Sequence, residues 1–354
     1  MSYRYNHLIK ESIAPPGTKS IVVSNGEGKK VVRIPLGGLT PPKGQPLYSF
    51  GLVSDIHLYD KEHSWVTWDP NTKFDNALSY FEEQGCAMCI VCGDLTQTGF
   101  YVKDDDSDEA EVPHLDEGQM AKYQEICHKH SIPVYELAGN HECYHEQPIT
   151  QNIDKWEACT GKGMLSYAVP HGDDLFILLG QPRGQDVMSD DDFQWFQQVL
   201  EENREKRCFV FVHSYIEEDS GDPGDKRENS IFETWPHKAA FVELLRSYPN
   251  VILFHGHSHM KFECQGFYGS DEVDPADQET FKAANYTEKN GFKSVHIPSL
   301  SRPRDIDLKT GKTPYADGEA QGYIVDVYED FIVLNGMDLV GNKPIPLGIY
   351  KINT

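Results

Sequence analysis

Residues 47–57 read Leu-Tyr-Ser-Phe-Gly-Leu-Val-Ser-Asp-Ile-His. A short, largely apolar run fits a strand buried on both faces, and it leads directly into Asp55 and His57. The same event recurs four times. AMCIVC (87–92) leads into Gly93-Asp94, and IPVYEL (132–137) leads through Ala138 into Gly139-Asn140-His141-Glu142. CFVFV (208–212) leads into His213, and VILFH (251–255) into Gly256-His257-Ser258-His259. Five buried strands thus end in residues able to bind or move a proton or a cation.

The segments between them have helical period. KFDNALSYFEEQG (73–85) sets Phe74, Ala77, Leu78 and Phe81 on one face and stops at Gly85, a residue suited to ending a helix. DEGQMAKYQEICHKH, DDFQWFQQVLEENREK and HKAAFVELLRSYP read as further helices, and DLFILLG as a further strand. Strands alternating with helices imply a largely parallel sheet covered by helices. Beyond Met260 the helices stop. Residues 260–268, 292–297, 322–328 and 331–338 read as short strands, an antiparallel meander closing a second sheet. The expected architecture is α/β, with two facing mixed sheets flanked by helices, in one domain over 45–354. Residues 1–44 read as an appendage: two strands around Asn25-Gly26-Glu27-Gly28, a hairpin signal, with Pro41-Pro42 as the break. The stretches 103–118 and 214–236 read as solvated loops, the second also a candidate lid.

Composition narrows the function classes. The 354 residues carry a formal charge of −24, which opposes binding to a nucleic-acid duplex. An anionic substrate would need local positive charge, which metal ions can supply. No apolar run reaches the ~18 residues that cross a bilayer, and the opening MSYRYNHLIK has no apolar core of a leader. A membrane association is not expected, and the expected location is the cytoplasm. The eight cysteines are too sparse for a disulfide scaffold. Cys86, Cys89 and Cys92 have a spacing that could hold an iron–sulfur cluster. Strand alternation, however, turns Cys89 and Cys92 to opposite faces, so buried thiols are expected.

Ligands bind at the carboxyl ends of strands in open α/β sheets. Two carboxylates, an amide oxygen and at least four imidazoles would then converge on one patch, costly to desolvate without a cation. Imidazole suits zinc or iron, and oxygen donors suit harder ions such as manganese. Each motif is weak alone: Asp-x-His and Gly-Asp are common by chance, and an isolated His213 reads as a structural histidine. Their order and their common position after strands carry the signal.

The set Asp55-x-His57, Gly93-Asp94, Gly139-Asn140-His141-Glu142, His213 and Gly256-His257-x-His259 resembles the calcineurin-like metallophosphoesterase superfamily over about residues 48–300. The resemblance implies a dinuclear centre of divalent or trivalent transition-metal ions (manganese, iron or zinc). Asp55, His57 and His259 would hold the first metal, Asn140, His213 and His257 the second, and Asp94 would bridge them. His141 would face the substrate phosphate instead of ligating. Leu95-Thr96-Gln97 follow Gly93-Asp94, where purple acid phosphatases carry a metal-bound tyrosine, so that iron site is not expected.

The implied activity is hydrolysis of a phosphoester, from a small molecule or a nucleotide, by a metal-bound hydroxide, with two metals clamping attacking and leaving oxygens. Phosphodiesters are the favoured substrates. Alternatives are a phosphomonoesterase, a protein serine/threonine phosphatase and, more distantly, a non-catalytic scaffold. Other residues carry less signal. His63, His114, His145, His255 and His296 read as surface or supporting histidines. Arg302 and Arg304 read as surface ion pairs, with phosphate recognition as the alternative. Tyr215 and Trp235 could stack on a nucleobase or belong to the core.

Overall fold

The computed structural model describes residues 20–24, 31–35, 44–60, 67–97, 117–142, 149–182, 187–216, 235–264, 285–288, 290–305 and 314–354. Two strands stand apart near the start: β1 (Ser20–Ser24) pairs antiparallel with β2 (Val31–Pro35). The Asn25–Gly28 turn between them lies outside the described residues.

Two six-stranded sheets make up the rest. In the first, β3 (Tyr48–Val53), β4 (Cys89–Cys92) and β5 (Val134–Leu137) run parallel. In the second, β6 (Tyr167–His171) pairs antiparallel with β7 (Asp174–Leu179), and β7, β8 (Cys208–Val212) and β9 (Val251–His255) run parallel. A short β10 (Tyr286–Thr287) edges β11 (Lys293–His296), which lies parallel to β9. The first sheet is completed by β12 (Gln321–Val327), β13 (Phe331–Asp338) and β14 (Lys343–Asn353), antiparallel, with β12 against β3.

The meander therefore extends the first sheet, whereas a second-sheet meander was expected; only the 292–297 strand joins the second sheet. The expected strand at 260–268 is also absent over its described part, where Phe262–Cys264 forms a 3₁₀ turn. Phe262 N–H donates to Gln321 Oε1 at 2.9 Å, a side-chain acceptor in place of a ladder partner.

Alternation along each strand builds three layers of core. Leu52, Ile90, Cys92 and Leu137 face Phe176, Phe209, Phe211, Ile252 and Phe254 between the sheets. Val53, Cys89 and Val91 face the opposite way, onto α1 (Pro70–Glu83), α2 (Glu117–Cys127) and α3 (Ile149–Thr160). Cys89 and Cys92 thus occupy different cores, and both are free thiols. Ile177, Val210 and Val212 face α4 (Asp190–Glu202) and α5 (Lys238–Ser247). Helix α1 buries Phe74, Ala77, Leu78 and Phe81, the face expected from its spacing. It packs so closely that a Cβ on Gly51 would strike the Phe81 ring. Helix α4 starts where Ser189 accepts a bond from Asp192 N–H, with three aspartates in its first turn, a capped and dipole-matched start.

The opposite end of the sandwich from the strand carboxyl ends is closed by a polar clamp. Asp174, which opens β7, receives Arg207 Nε at 2.9 Å and Nη2 at 2.7 Å, and the Tyr48 hydroxyl at 2.6 Å. Arg207 Nη1 also donates to Tyr328 O at 2.7 Å and Thr354 Oγ1 at 3.1 Å. One guanidinium thus ties together both sheets and Thr354.

Candidate metal centre

The five strand ends meet. Asp55, His57, Asp94 and His259 present ligand atoms within 4.8 Å of one another, and so do Asp94, His213 and His257. Asp94 is common to both groups. All six side chains are buried or nearly so, and β3 and β4 supply three of them while the turns after β8 and β9 supply the others.

The backbone takes an unusual form to bring them there. Asp55, His57, Asp94, His257 and His259 all have positive φ, between 51° and 70°. A non-glycine residue in that region is uncommon, and such strain gathers at functional sites where the surrounding bonds fix it. Here the bonds are visible. Ile56 and His57 N–H both donate to Asp94 O at 2.8 and 3.0 Å, Gly256 N–H to His213 O at 3.0 Å, and Leu300 N–H to Ser54 O at 2.8 Å. His257 N–H donates to Asp55 Oδ2 at 3.1 Å, and His141 N–H to Asp94 Oδ1 at 3.0 Å.

Three glycines precede ligand candidates, for two different reasons. Gly93 has φ 85°, and a Cβ there would sit 2.5 Å from His213 Nδ1. Gly139 and Gly256 have no positive φ; a Cβ would collide with Asp94 at the first and with Ser54 and Asp55 at the second. Close approach, more than turning, requires them.

Hydrogen bonds outside the cluster orient the imidazoles. His213 Nδ1 is 2.8 Å from Cys92 O, and His259 Nδ1 is 3.1 Å from Arg302 O. A carbonyl can only accept, so both Nδ1 atoms carry a proton and both Nε2 atoms turn inward toward the carboxylates. His57 Nε2 and His259 Nε2 lie 3.0 Å apart, and His259 Nε2 lies 3.1 Å from Asp55 Oδ1. Asn140 is buried with its Oδ1 unbonded, as is His257 Nε2. Buried oxygen and nitrogen donors left without partners, around carboxylates at hydrogen-bond range, fit a pair of cations.

Electrostatics follow from this crowding. Burial pushes Asp94 up, but His213 and His141 outweigh it and hold the carboxyl well below its usual range. Burial pushes His213 down, yet Asp94 and Asp55 raise it to about 10. Burial and then His213 bring His257 down to about 3. His141 lies 3.8 Å from Asp94 Oδ2, its ring edge-on to His57 at 4.6 Å. Burial lowers its pKa against the pull of Asp94.

Of the supporting features, the roles of Glu142 and of the Arg302 carbonyl escaped the sequence reading, while His296 stands where a supporting histidine was expected. Glu142 is buried and accepts from Thr96 N–H at 2.9 Å, Thr96 Oγ1 at 3.0 Å and Gly139 N–H at 2.8 Å. It braces the Asn140–His141 loop against the turn that carries Asp94. Its place in Gly-Asn-His-Glu was the only signal. His296 and His255 are buried, each 1% exposed, and His296 Nε2 meets Ser258 Oγ at 2.7 Å behind the His257–His259 turn. Among the described residues Arg302 makes no ion pair, and its guanidinium carbon lies 4.0 Å from the Trp68 ring centroid and 3.9 Å from that of Tyr315. Arg304 Nη2 donates to the Tyr315 hydroxyl at 3.0 Å. Tyr215 and Trp235 are core residues, 2% and 4% exposed, and offer no open face. His63, His114, His145 and most of 103–118 and 214–236 lie outside the described residues, and the lid reading with them.

Among the described residues, no helix is long and apolar enough to cross a membrane. A family model described as calcineurin-like phosphoesterase matches residues 48–261. No curated protein matches the chain by sequence. Among solved structures, a dimetal phosphatase from Danio rerio superposes with a TM-score of 0.53 at 14% identity, over 87% of this chain and 99% of that one. A purple acid phosphatase from yellow lupin (Lupinus luteus) seeds gives 0.53 at 10% identity, over 88% of this chain and 55% of that one. At such identities the likeness is one of fold.

Proposed function

The chain belongs to the calcineurin-like phosphoesterase family, and from that membership we propose that it hydrolyses phosphoesters at a centre of two transition-metal ions, favouring diesters over monoesters. The observation that carries the reading is the pair of ligand groups sharing Asp94. Asp55, His57 and His259 hold one ion in this reading, Asn140, His213 and His257 the other, and Asp94 both. Manganese, iron and zinc suit these donors. When bound, such a pair supplies Lewis-acid charge and an acidified water.

The chain's own residues do the rest. The Cys92 and Arg302 carbonyls hold the His213 and His259 tautomers, so both rings face the centre before any ion arrives. Asp94 Oδ1 fixes the His141 backbone while Oδ2 stays near its ring. His141, unbound to metal, is then the proton donor to the leaving oxygen, charged as the substrate's negative charge counters the effect of burial. The diester preference rests on the five strand-end motifs, which contain no Lys or Arg. One negative charge needs no further cation beside two metals. A cytoplasmic setting accords with the free thiols.

The test is elemental analysis with a substrate panel. About two metals per chain are expected, with kcat/KM for bis-nitrophenyl phosphate above that for nitrophenyl phosphate. A single metal at saturation refutes the bridged centre. A tenfold preference for the monoester, about 1.4 kcal/mol, refutes the diester reading.

A further inference from the structure

Resting on that reading of the centre, we propose that Arg302, clamped between Trp68 and Tyr315, recognises a second anionic group on the substrate, carried by the part that leaves. The guanidinium carbon lies over both rings, 4.0 Å from the Trp68 centroid and 3.9 Å from the Tyr315 centroid. With both rings this close to its carbon, the guanidinium keeps its N–H groups for hydrogen bonds, the donors suited to bidentate capture of a carboxylate or phosphate. Arg302 Nε is buried with no hydrogen-bond partner, and no carboxylate pairs with Arg302 among the described residues. In a chain of charge −24 that is not for want of acids. Asp305 and Glu319 face Lys261 at 3.4 and 2.9 Å, and Asp317 Oδ2 accepts from the Thr67 hydroxyl at 2.5 Å.

The residue is also joined to the centre twice. Its carbonyl accepts from His259 Nδ1 at 3.1 Å, and Tyr315, which stacks on its side chain, meets the His259 ring edge-on at 5.9 Å. Tyr315 is 40% exposed, so this rim is open to solvent beside the buried cluster. His141, the proton donor to the leaving oxygen in that reading, packs on His57 at 4.6 Å and His57 on His259 at 4.8 Å, so the departing portion lies on the side of the centre that Arg302 borders. The substrate class is a phosphoester whose leaving group bears its own phosphate or carboxylate.

The experiment uses the full chain loaded with metal and three aryl phosphodiesters with a common retained group. Their leaving groups are neutral, carboxylate-bearing or phosphate-bearing. For each, kcat/KM is measured in the native protein, in Arg302→Met and in Arg302→Lys. Taking the variant-to-native ratio for each substrate removes differences in leaving-group reactivity. Arg302→Met should lower kcat/KM at least about tenfold more for the charged leaving groups than for the neutral one, mostly through KM, and Arg302→Lys should fall between. A larger effect with phosphate than with carboxylate identifies the anion as phosphate, and the reverse identifies carboxylate. An equal factor on all three substrates overturns the proposal.

Calorimetry with a non-hydrolysable aryl bisphosphonate and the matching monophosphonate judges Arg302 without turnover. Native protein should bind the bisphosphonate at least about tenfold more tightly, and Arg302→Met should lose that margin. Equal binding of the two by native protein overturns the proposal even where the variant does not fold. If all three diesters go unhydrolysed while the margin is present and depends on Arg302, the hydrolytic reading fails and the anion subsite stands.

Discussion

Arg207→Met removes the cation from the clamp beneath the sheets while keeping much of the side chain's length. Asp174 is left with its side chain only 6% exposed, held by the Tyr48 hydroxyl alone. Two charge-assisted bonds, at 2.9 and 2.7 Å, are lost together, and Tyr328 O and Thr354 Oγ1 lose a donor. Breaking a buried pair by deleting one partner costs about 3–5 kcal/mol, because the surviving charge stays out of water. Replacing both partners avoids that penalty, so Asp174→Asn combined with Arg207→Met should recover part of the loss. Equilibrium urea unfolding reads both quantities from the midpoint at constant slope. Tyr48, Asp174 and Arg207 stand at or just before the starts of β3, β7 and β8, away from the ligand groups at the strand ends. Metal content of the folded variant should therefore match the native protein. A loss under about 1 kcal/mol, or a double variant less stable than the single one, refutes the clamp.

His141→Ala should keep its metal and lose about 10²–10⁴ in kcat, whereas His257→Ala should lose metal; equal metal loss in both would undo the distinction between them. Asp94→Ala should reduce occupancy by elemental analysis more than any single histidine change, since it touches both groups. Gly139→Ala deletes no ligand yet should lower metal affinity, because its Cβ would displace Asp94; unchanged affinity by titration would mean the turn yields freely. Glu82 accepts from Ser131 Oγ, Ser131 N–H, His130 and Ile132 N–H, and these bonds, Ser131's first, hold its pKa down at about 2. A carboxyl depressed in the folded state stabilises fully above its unfolded pKa of about 4.5 and loses that contribution as pH falls toward 2. Glu82→Gln should thus be less stable than native at pH 7, with the gap closing over that window; a gap constant with pH would refute the assignment.

The parts of this molecule legible in the sequence were those where one period dominates. Val53, Val91 and Val212 lie in continuous apolar runs, and the Asp, Asn and His residues after each run mark its end. Phe74 to Phe81 repeats at helical spacing on a single face. The sheet that accepts the last strands was not legible, because an antiparallel strand reads the same whichever edge it joins. β12 pairs with β3 through contacts some 280 residues distant in sequence, and nothing local encodes that. Residues 260–264 look apolar enough for a strand, but Gln321 supplies a side-chain acceptor where a ladder partner would be needed. At the strand ends the fold brings together residues that the sequence singles out, whereas most of the contacts behind them were not legible. Glu142, His296 and Arg302 act through buried contacts that only the fold creates.

The pairing of β12 with β3 also sets an order of events during synthesis. The strand that delivers Asp55 and His57 is made early, yet its antiparallel neighbour is Val327 opposite Tyr48. At about 5–20 residues per second, a ribosome needs roughly 15–55 s to cover that interval. Throughout it, β3 can pair with β4 but keeps one edge bare, a surface open to strands from other nascent chains. Arg207 in turn waits a further 147 residues for Thr354. The centre is therefore completed from the back of the chain forward. A nascent protein with all the candidate ligand side chains already made still lacks the strand that covers the bare edge of β3, so the cluster is fully held only once β12 has been made.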